Sequence, residues 1–283
     1  MEISNNPSRR KALKTGLASV AAVAASKPLI SGAADFALRP KSKGETKVVV
    51  QMGDYWHPAV SQESHVRGIF ASLPDWKLYY VQRSNAFNAE LLKDADLLIL
   101  ARYGGADANG FCPDAIAVDR PASDQWMTDE QEAIIIDNVT NRGMAMLSVH
   151  CTIFTGRKKI EDLIGIEPIL HQEIQPIIIK DLNQEHPITK GIEPFFSNLD
   201  EQFDSQIKNT ATTTQLFRTL AVHDKRDALG GWCLEQGKGR IVGLLPGHYQ
   251  WTYRIPAYQE IFWRAAHWAM RRDIPPYKIA RSY

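Results

Sequence analysis

The chain is poor in cysteine and has no strong net charge. Only Cys112, Cys151 and Cys233 occur among 283 residues. Three cysteines without a Cys-x-x-Cys pair make neither a disulfide framework nor a thiolate zinc or redox motif. A single bridge, such as Cys112–Cys233, stays open in an oxidising compartment. Charge of one sign is also lacking: 33 Lys and Arg face 32 Asp and Glu, a formal net charge of +1. That balance excludes a nucleic-acid binder working through a bulk positive field. No apolar run reaches the ~18 residues of a membrane-spanning helix. Internal repeats and low-complexity stretches are missing from the body of the chain.

The near-zero charge hides an asymmetry. Residues 1–34 carry five basic side chains (Arg9, Arg10, Lys11, Lys14, Lys27) and one acidic, Glu2; the remaining 28 basic and 31 acidic residues leave the body at −3. Ser8-Arg9-Arg10-Lys11-Ala12-Leu13-Lys14 precedes a short Ala-rich apolar stretch and small residues suited to cleavage. A charged head, a short apolar segment and a small-residue site read as a signal peptide, and the arginine pair as the twin-arginine route to the periplasm. Residues 1–34 are thus expected to be an address, 35–45 a linker, 46–272 one domain and 273–283 a tail.

Within the body, strands and helices alternate. Lys47–Met52, Lys77–Gln82, Asp96–Ala101 and Met144–Val149 read as strands, followed by Ile174–Ile179, Leu216–Val222, Gly231–Glu235 and Arg240–Leu245. Helical spacing links Val66, Ile69, Phe70 and Leu73 and stops at Pro74. Thr128-Asp-Glu-Gln131 is a capping box opening a helix that ends at Gly143. A last helix runs from Tyr258 to Arg271. This order predicts an α/β fold with a mostly parallel sheet and helices on both faces. Such sheets bind ligands beyond the carboxyl ends of their strands.

Three histidines fall at that edge: His57 after the first strand, His150 after the fourth and His248 after the last. Imidazole transfers protons near neutral pH or ligates metal, so the group suits either role. Asp54, Arg102, Tyr103 and Cys151 share the edge. His171 and Glu173 form an H-x-E pair that an extended segment turns to one face, as metal ligation requires. His65 and His267 read as helix packing or surface residues, His223 as an exposed strand end, and His186 as a turn residue.

An ordered set of segments carries a family resemblance. It runs through Gly-Met-Ala-Met-Leu-Ser-Val-His150-Cys151, His171-Gln-Glu173, His186-Pro-Ile-Thr-Lys-Gly191 and Asp200-Glu201-Gln-Phe203. Gly237-Lys-Gly-Arg240-Ile-Val-Gly-Leu-Leu-Pro-Gly247-His248, Pro256-Ala-Tyr and Trp263-Arg-Ala-Ala-His-Trp-Ala complete it. Across residues 46–272 the chain resembles the trehalose-utilisation (ThuA-like) family. The resemblance implies a flavodoxin-like sheet related to class I glutamine amidotransferases, with His150 where those enzymes place their nucleophilic Cys and His248 as its partner. The surrounding sequence departs from theirs: Ser148-Val-His150-Cys-Thr152 replaces G-x-C-x-G, and Gln250 stands where a Glu follows the His. Glutaminase activity is therefore not expected.

The resemblance implies an enzyme of carbohydrate metabolism acting on trehalose-like or keto-disaccharides or glycosides. His150, His248 and Glu201 are its candidate catalytic groups, with His57, His171 and Glu173 as candidate ligands of a divalent metal such as zinc. Trp56, Tyr103, Trp251 and Tyr253 are candidate stacking faces for sugar rings. Two alternatives stay open: a hydrolase using Cys151 as nucleophile and His248 as base, and a non-catalytic sugar-binding protein of the cell envelope. The expected partner is a small carbohydrate, with no nucleic acid and no membrane span after signal removal.

Overall fold

The structure, a computed structural model, describes residues 41–54, 56–57, 59–81, 86–105 and 125–278. The expected signal segment, Cys112 and most of the Gly- and Asp-containing residues 102–124 after the third strand lie outside them. Eleven strands and six α-helices are described. The strands are β1 (Thr46–Met52), β2 (Trp76–Val81), β3 (Leu97–Ala101), β4 (Ala145–Val149), β5 (Ile166–His171), β6 (Gln175–Lys180), β7 (Phe195–Asp200), β8 (Phe203–Ile207), β9 (Thr213–Ala221), β10 (Asp227–Gln236) and β11 (Gly239–Leu244). The helices are α1 (Ala59–Phe70), α2 (Ala89–Leu92), α3 (Asp129–Asp137), α4 (Lys158–Ile164), α5 (Gln250–Tyr253) and α6 (Pro256–Ala269).

Nine strands form one sheet in the order β2-β1-β3-β4-β11-β10-β9-β6-β7, and β5 and β8 form a separate ribbon. The pairs β1–β2, β1–β3, β3–β4 and β4–β11 are parallel. Counted along the chain, these five strands follow the 2-1-3-4-5 order of a flavodoxin-like sheet. The other four pairs are antiparallel, so the sheet is mixed, which corrects the mostly parallel expectation. The reason is local. Gly237 and Lys238 alone connect β10 to β11, and a two-residue connection joins only antiparallel neighbours. Gly237 takes φ +57°, as tight hairpin turns require.

Within the parallel half, β1, β3 and β4 are buried on both faces, as their apolar runs dictate. Val48, Val50, Met52, Leu97, Ile99, Ala145 and Leu147 share a core with Val66, Ile69 and Phe70 of α1 and Ile261, Phe262 and Ala265 of α6. Val49, Leu98, Leu100 and Met146 alternate with them and are equally inaccessible. The Thr128 capping box forms as the sequence predicts: its side chain accepts from the Gln131 N–H while Gln131 accepts from the Thr128 N–H. The helix it opens turns into a π-helical segment at Asn138–Arg142 before Gly143. No helix among the described residues is long and apolar enough to cross a membrane.

Candidate active site and metal centre

Sharp turns after separate strands bring the site together. After β1, Gly53 at φ +94° lets the chain fold back, and Asp54 and His57 exchange backbone hydrogen bonds of 3.1 and 3.3 Å. After β4, His150 itself takes φ +49°, a strained setting for a non-glycine residue. The chain leaves it as a 3₁₀ turn over His150–Phe154. β7 ends in Asp200 and leads directly to Glu201, while β11 leads through Gly247, at φ +140°, to His248.

These turns converge His57, His150, Glu201 and His248, each offering one donor atom within 4.8 Å of every other. Nε2 of His150 lies 3.2 Å from Nδ1 of His248 and 3.4 Å from Oε2 of Glu201. His248 Nδ1 lies 3.2 Å from the same oxygen. The three imidazoles stand edge-on to one another, with centroids 4.8–5.2 Å apart. Phe203, from the β5–β8 ribbon, walls off one side at 4.7 Å from the His150 ring.

The far nitrogens are tethered. Nδ1 of His57 sits 2.7 and 2.9 Å from the two Asp54 oxygens, which directs Nε2 inward. That Nε2 is buried and makes no hydrogen bond. Nδ1 of His150 donates to the Leu245 carbonyl at 2.7 Å, leaving its Nε2 lone pair for the centre. A carboxylate or carbonyl on the outer nitrogen is the usual second support of a metal-bound histidine.

Electrostatics follow from this arrangement. Burial opposes charge on Asp54, but hydrogen bonds from His57 and from the Tyr103 and Trp56 N–H groups outweigh it and hold the carboxyl below its usual range. Burial likewise opposes ionisation of Glu201, and the hydrogen bonds and charges of His150 and His248 overcome it, holding the carboxyl far down. His57 is lowered, burial prevailing over Asp54. His150 is raised, because Glu201, Asp200 and the Leu245 carbonyl together outweigh its burial.

A tetrahedral ion with bonds of ~2.0–2.2 Å separates its ligands by about 3.3–3.6 Å. The 3.2–3.4 Å spacings among His150, His248 and Glu201 match that demand. The inward, unpartnered Nε2 of His57 supplies the fourth donor. The residues therefore fit a divalent cation.

The other sequence candidates divide. His171 reaches the cluster from the end of β5, with Nδ1 3.2 Å from Oε1 of Glu201 and its side chain 67% exposed. Glu173 is exposed beside it. Cys151 is buried, its thiol 3.8 Å from Asp54, and burial with the Asp54 and Glu201 charges pushes it well above the usual thiol range. Trp56 and Trp251, next to and three residues from site histidines, are each 45% exposed. Tyr103 is half-buried, its N–H bound to Asp54. Tyr253 is fully buried against Tyr258 and Phe262, so its ring is core rather than site wall. His186 and His267 pack against Trp268 and Trp263, away from the cluster. Asp54, which anchors His57, had only its place at a strand end to mark it.

With the geometry in place, comparison with known proteins is informative. A family model described as ThuA, trehalose utilisation, matches residues 47–269. The chain belongs to the ThuA family. No curated protein matches it. Among solved structures, a ThuA-like protein from Parabacteroides merdae ATCC 43184 superposes with a TM-score of 0.62 at 13% identity, over 80% of this chain and 90% of that one. A ThuA-like protein from Bacteroides uniformis ATCC 8492 gives 0.59 at 14%, over 82% and 94%. A cytoplasmic protein from Salmonella typhimurium LT2 gives 0.55 at 13%, over 79% and 99%. At these identities the likeness to the ThuA-like structures concerns the fold.

Proposed function

We infer that this ThuA-family chain is an exported, metal-dependent enzyme of carbohydrate metabolism acting on trehalose-like or keto-disaccharides or glycosides. One observation carries the metal reading. Four donors from four strand ends lie within 4.8 Å of one another, three of them 3.2–3.4 Å apart, with Asp54 and the Leu245 carbonyl fixing the outer nitrogens of His57 and His150. Charge supports it as well, because Asp54, Asp200 and Glu201 put three carboxyl groups in or beside one largely buried cluster. Buried negative charge of that density calls for a compensating cation.

A divalent ion such as zinc would supply Lewis acidity there to a carbonyl or hydroxyl oxygen of the sugar admitted as a further ligand beside the protein donors. His57, His150 and His248 would hold it, with Glu201 as the remaining donor. The outer oxygen of Glu201 meets His171 at the protein surface, and the two form a proton path between the centre and solvent. Trp56, the chain neighbour of His57, and Trp251, three residues past His248 with the Arg254 guanidinium 5.1 Å from its ring centre, are exposed aromatic faces suited to the C–H surface of a sugar ring. Glu173, exposed two residues beyond His171, stays a candidate to bind substrate hydroxyls or the ion. A nucleophilic role for Cys151 is disfavoured by its buried, strongly protonated thiol.

The reading is tested by turnover of oxidised and unoxidised disaccharides in protein stripped of metal and then reloaded with zinc, manganese or cobalt. Metal-dependent product formation supports it. A reloaded protein that binds these sugars and releases no product is instead a sugar-binding protein.

A further inference from the structure

Asp200 is fully buried and adjoins the centre without donating to it. Its carboxylate accepts from the N–H of Gly247 at 3.1 Å on Oδ1 and 2.9 Å on Oδ2. It also accepts from the N–H of His248 at 2.9 Å, from the N–H of Glu201 at 2.8 Å and from the Thr252 hydroxyl. Thr252 is held in turn by Ser197 of β7, oxygen to oxygen at 2.8 Å. Every donor but Thr252 lies in a strand-end segment that carries a donor of the centre, and Thr252 lies in α5, four residues past His248.

The backbone explains why such a grip is needed. Gly247 at φ +140° turns the chain so that His248 swings inward, and a Cβ there would stand 2.8 Å from the Tyr253 hydroxyl oxygen. The turn leaves two successive N–H groups without a strand or helix to accept them. Both are aimed at Asp200, and orphaned buried N–H groups are costly. One carboxylate thus ties the His248 turn to the backbone of Glu201, whose side chain meets the His248 ring.

We propose that Asp200 is a positioning residue that holds His248 and Glu201 in a single ligand register and thereby sets the metal affinity of the centre. The proposal rests on the metal reading of the cluster. Asn in its place keeps the size and an acceptor for the three N–H groups that reach Oδ1, but it removes the negative charge and turns an amide N–H₂ toward the Gly247 N–H and the Thr252 hydroxyl, which loosens the hold on the His248 turn. Loss of an outer support of this kind lowers metal affinity by about 10–100-fold.

The test titrates the full chain with Co²⁺ alone, reading affinity and the visible d–d spectrum. Asp200→Asn is expected to bind 10–100-fold more weakly with an altered spectrum. Ser197→Ala, which leaves the carboxylate and its N–H donors in place, is expected to stay within about threefold of wild type. Asp200→Asn that binds Co²⁺ within twofold of wild type, with the same spectrum, overturns the proposal. If Asp200→Asn does not fold, Thr252→Val removes one donor to Asp200 and is read the same way, with a threefold or greater loss expected and an unchanged affinity overturning it. If wild type itself binds no Co²⁺, the metal reading fails. The clamp is then judged in metal-free crystals: His248 displaced from Glu201 in the variant sustains it, and an unmoved ring overturns it.

Discussion

His57 points its unpartnered Nε2 at the other donors because Asp54 holds Nδ1 with both carboxylate oxygens, at 2.7 and 2.9 Å. Asp54 in turn is fixed by the N–H groups of Trp56, His57 and Tyr103, so the loops after β1 and β3 jointly aim one imidazole. Asp54→Asn keeps the shape and removes the charge. Its expected effect is a loss of metal affinity of about 10–100-fold, measured by chelator competition, with secondary structure retained in circular dichroism.

The two buried histidines should titrate on opposite sides of the usual imidazole value of about 6.5. In metal-free protein, NMR is expected to place His57 below it and His150 above it. The sign follows for stability. His150, raised in the fold, contributes fully below the unfolded value and loses that contribution as pH rises through its folded value. The stability difference between wild type and His150→Gln, from urea unfolding without metal, should therefore shrink as pH rises above about 6.5. A difference that grows with pH would contradict the Glu201–His150 pairing.

Trp56 and Trp251 are exposed, one and three residues along the chain from His57 and His248, and are not among the four donors. Replacing either with Ala is expected to raise KM for a disaccharide about 2–10-fold, matching ~0.5–1.5 kcal/mol of aromatic contact, with kcat and metal content little changed. Tyr253→Phe, altering a core residue, should leave KM where it is.

The proposed export rests on the Arg9-Arg10 pair. Changing both to Lys should leave the protein in the cytoplasm, read by fractionation and immunoblot. Periplasmic recovery of the doubly changed protein would show that another route carries it.

The parallel half of the fold was readable because its strands are short, continuous apolar runs, as in Asp-Leu-Leu-Ile-Leu-Ala after Ala95. The antiparallel half was less so: Gly237-Lys238 joins two strands that were each recognised, but their direction rests on the length of that turn. β7, β5 and β8 escaped for a different reason. β7 is an edge strand that buries only Ser197 and Asp200, β5 contains Pro168 and four exposed residues, and β8 reads Phe-Asp-Ser-Gln-Ile, so none shows clean alternation. Yet β7 leads to Glu201, and the ribbon brings His171 and Phe203 to the centre.

The site divides in the same way. His57, His150 and His248 were legible from their places beyond strands, because a sheet gathers its carboxyl ends at one edge. Glu201 was named only through the family resemblance. Asp54 holds the nearby His57 but is fixed from afar by the Tyr103 N–H, and Asp200 accepts from the distant N–H groups of Gly247 and His248, relationships that only the fold creates. Tyr253 was misplaced because position near His248 does not reveal which side of the short helix α5 faces the core.

The most direct measurement is the metal content of the purified, folded protein, by mass spectrometry with equilibrium binding of Zn²⁺. The metal reading predicts about one divalent ion per chain, lost when His57, His150 and His248 are together replaced by Ala. A wild-type protein that carries no ion and binds Zn²⁺ no better than the triple variant would contradict it.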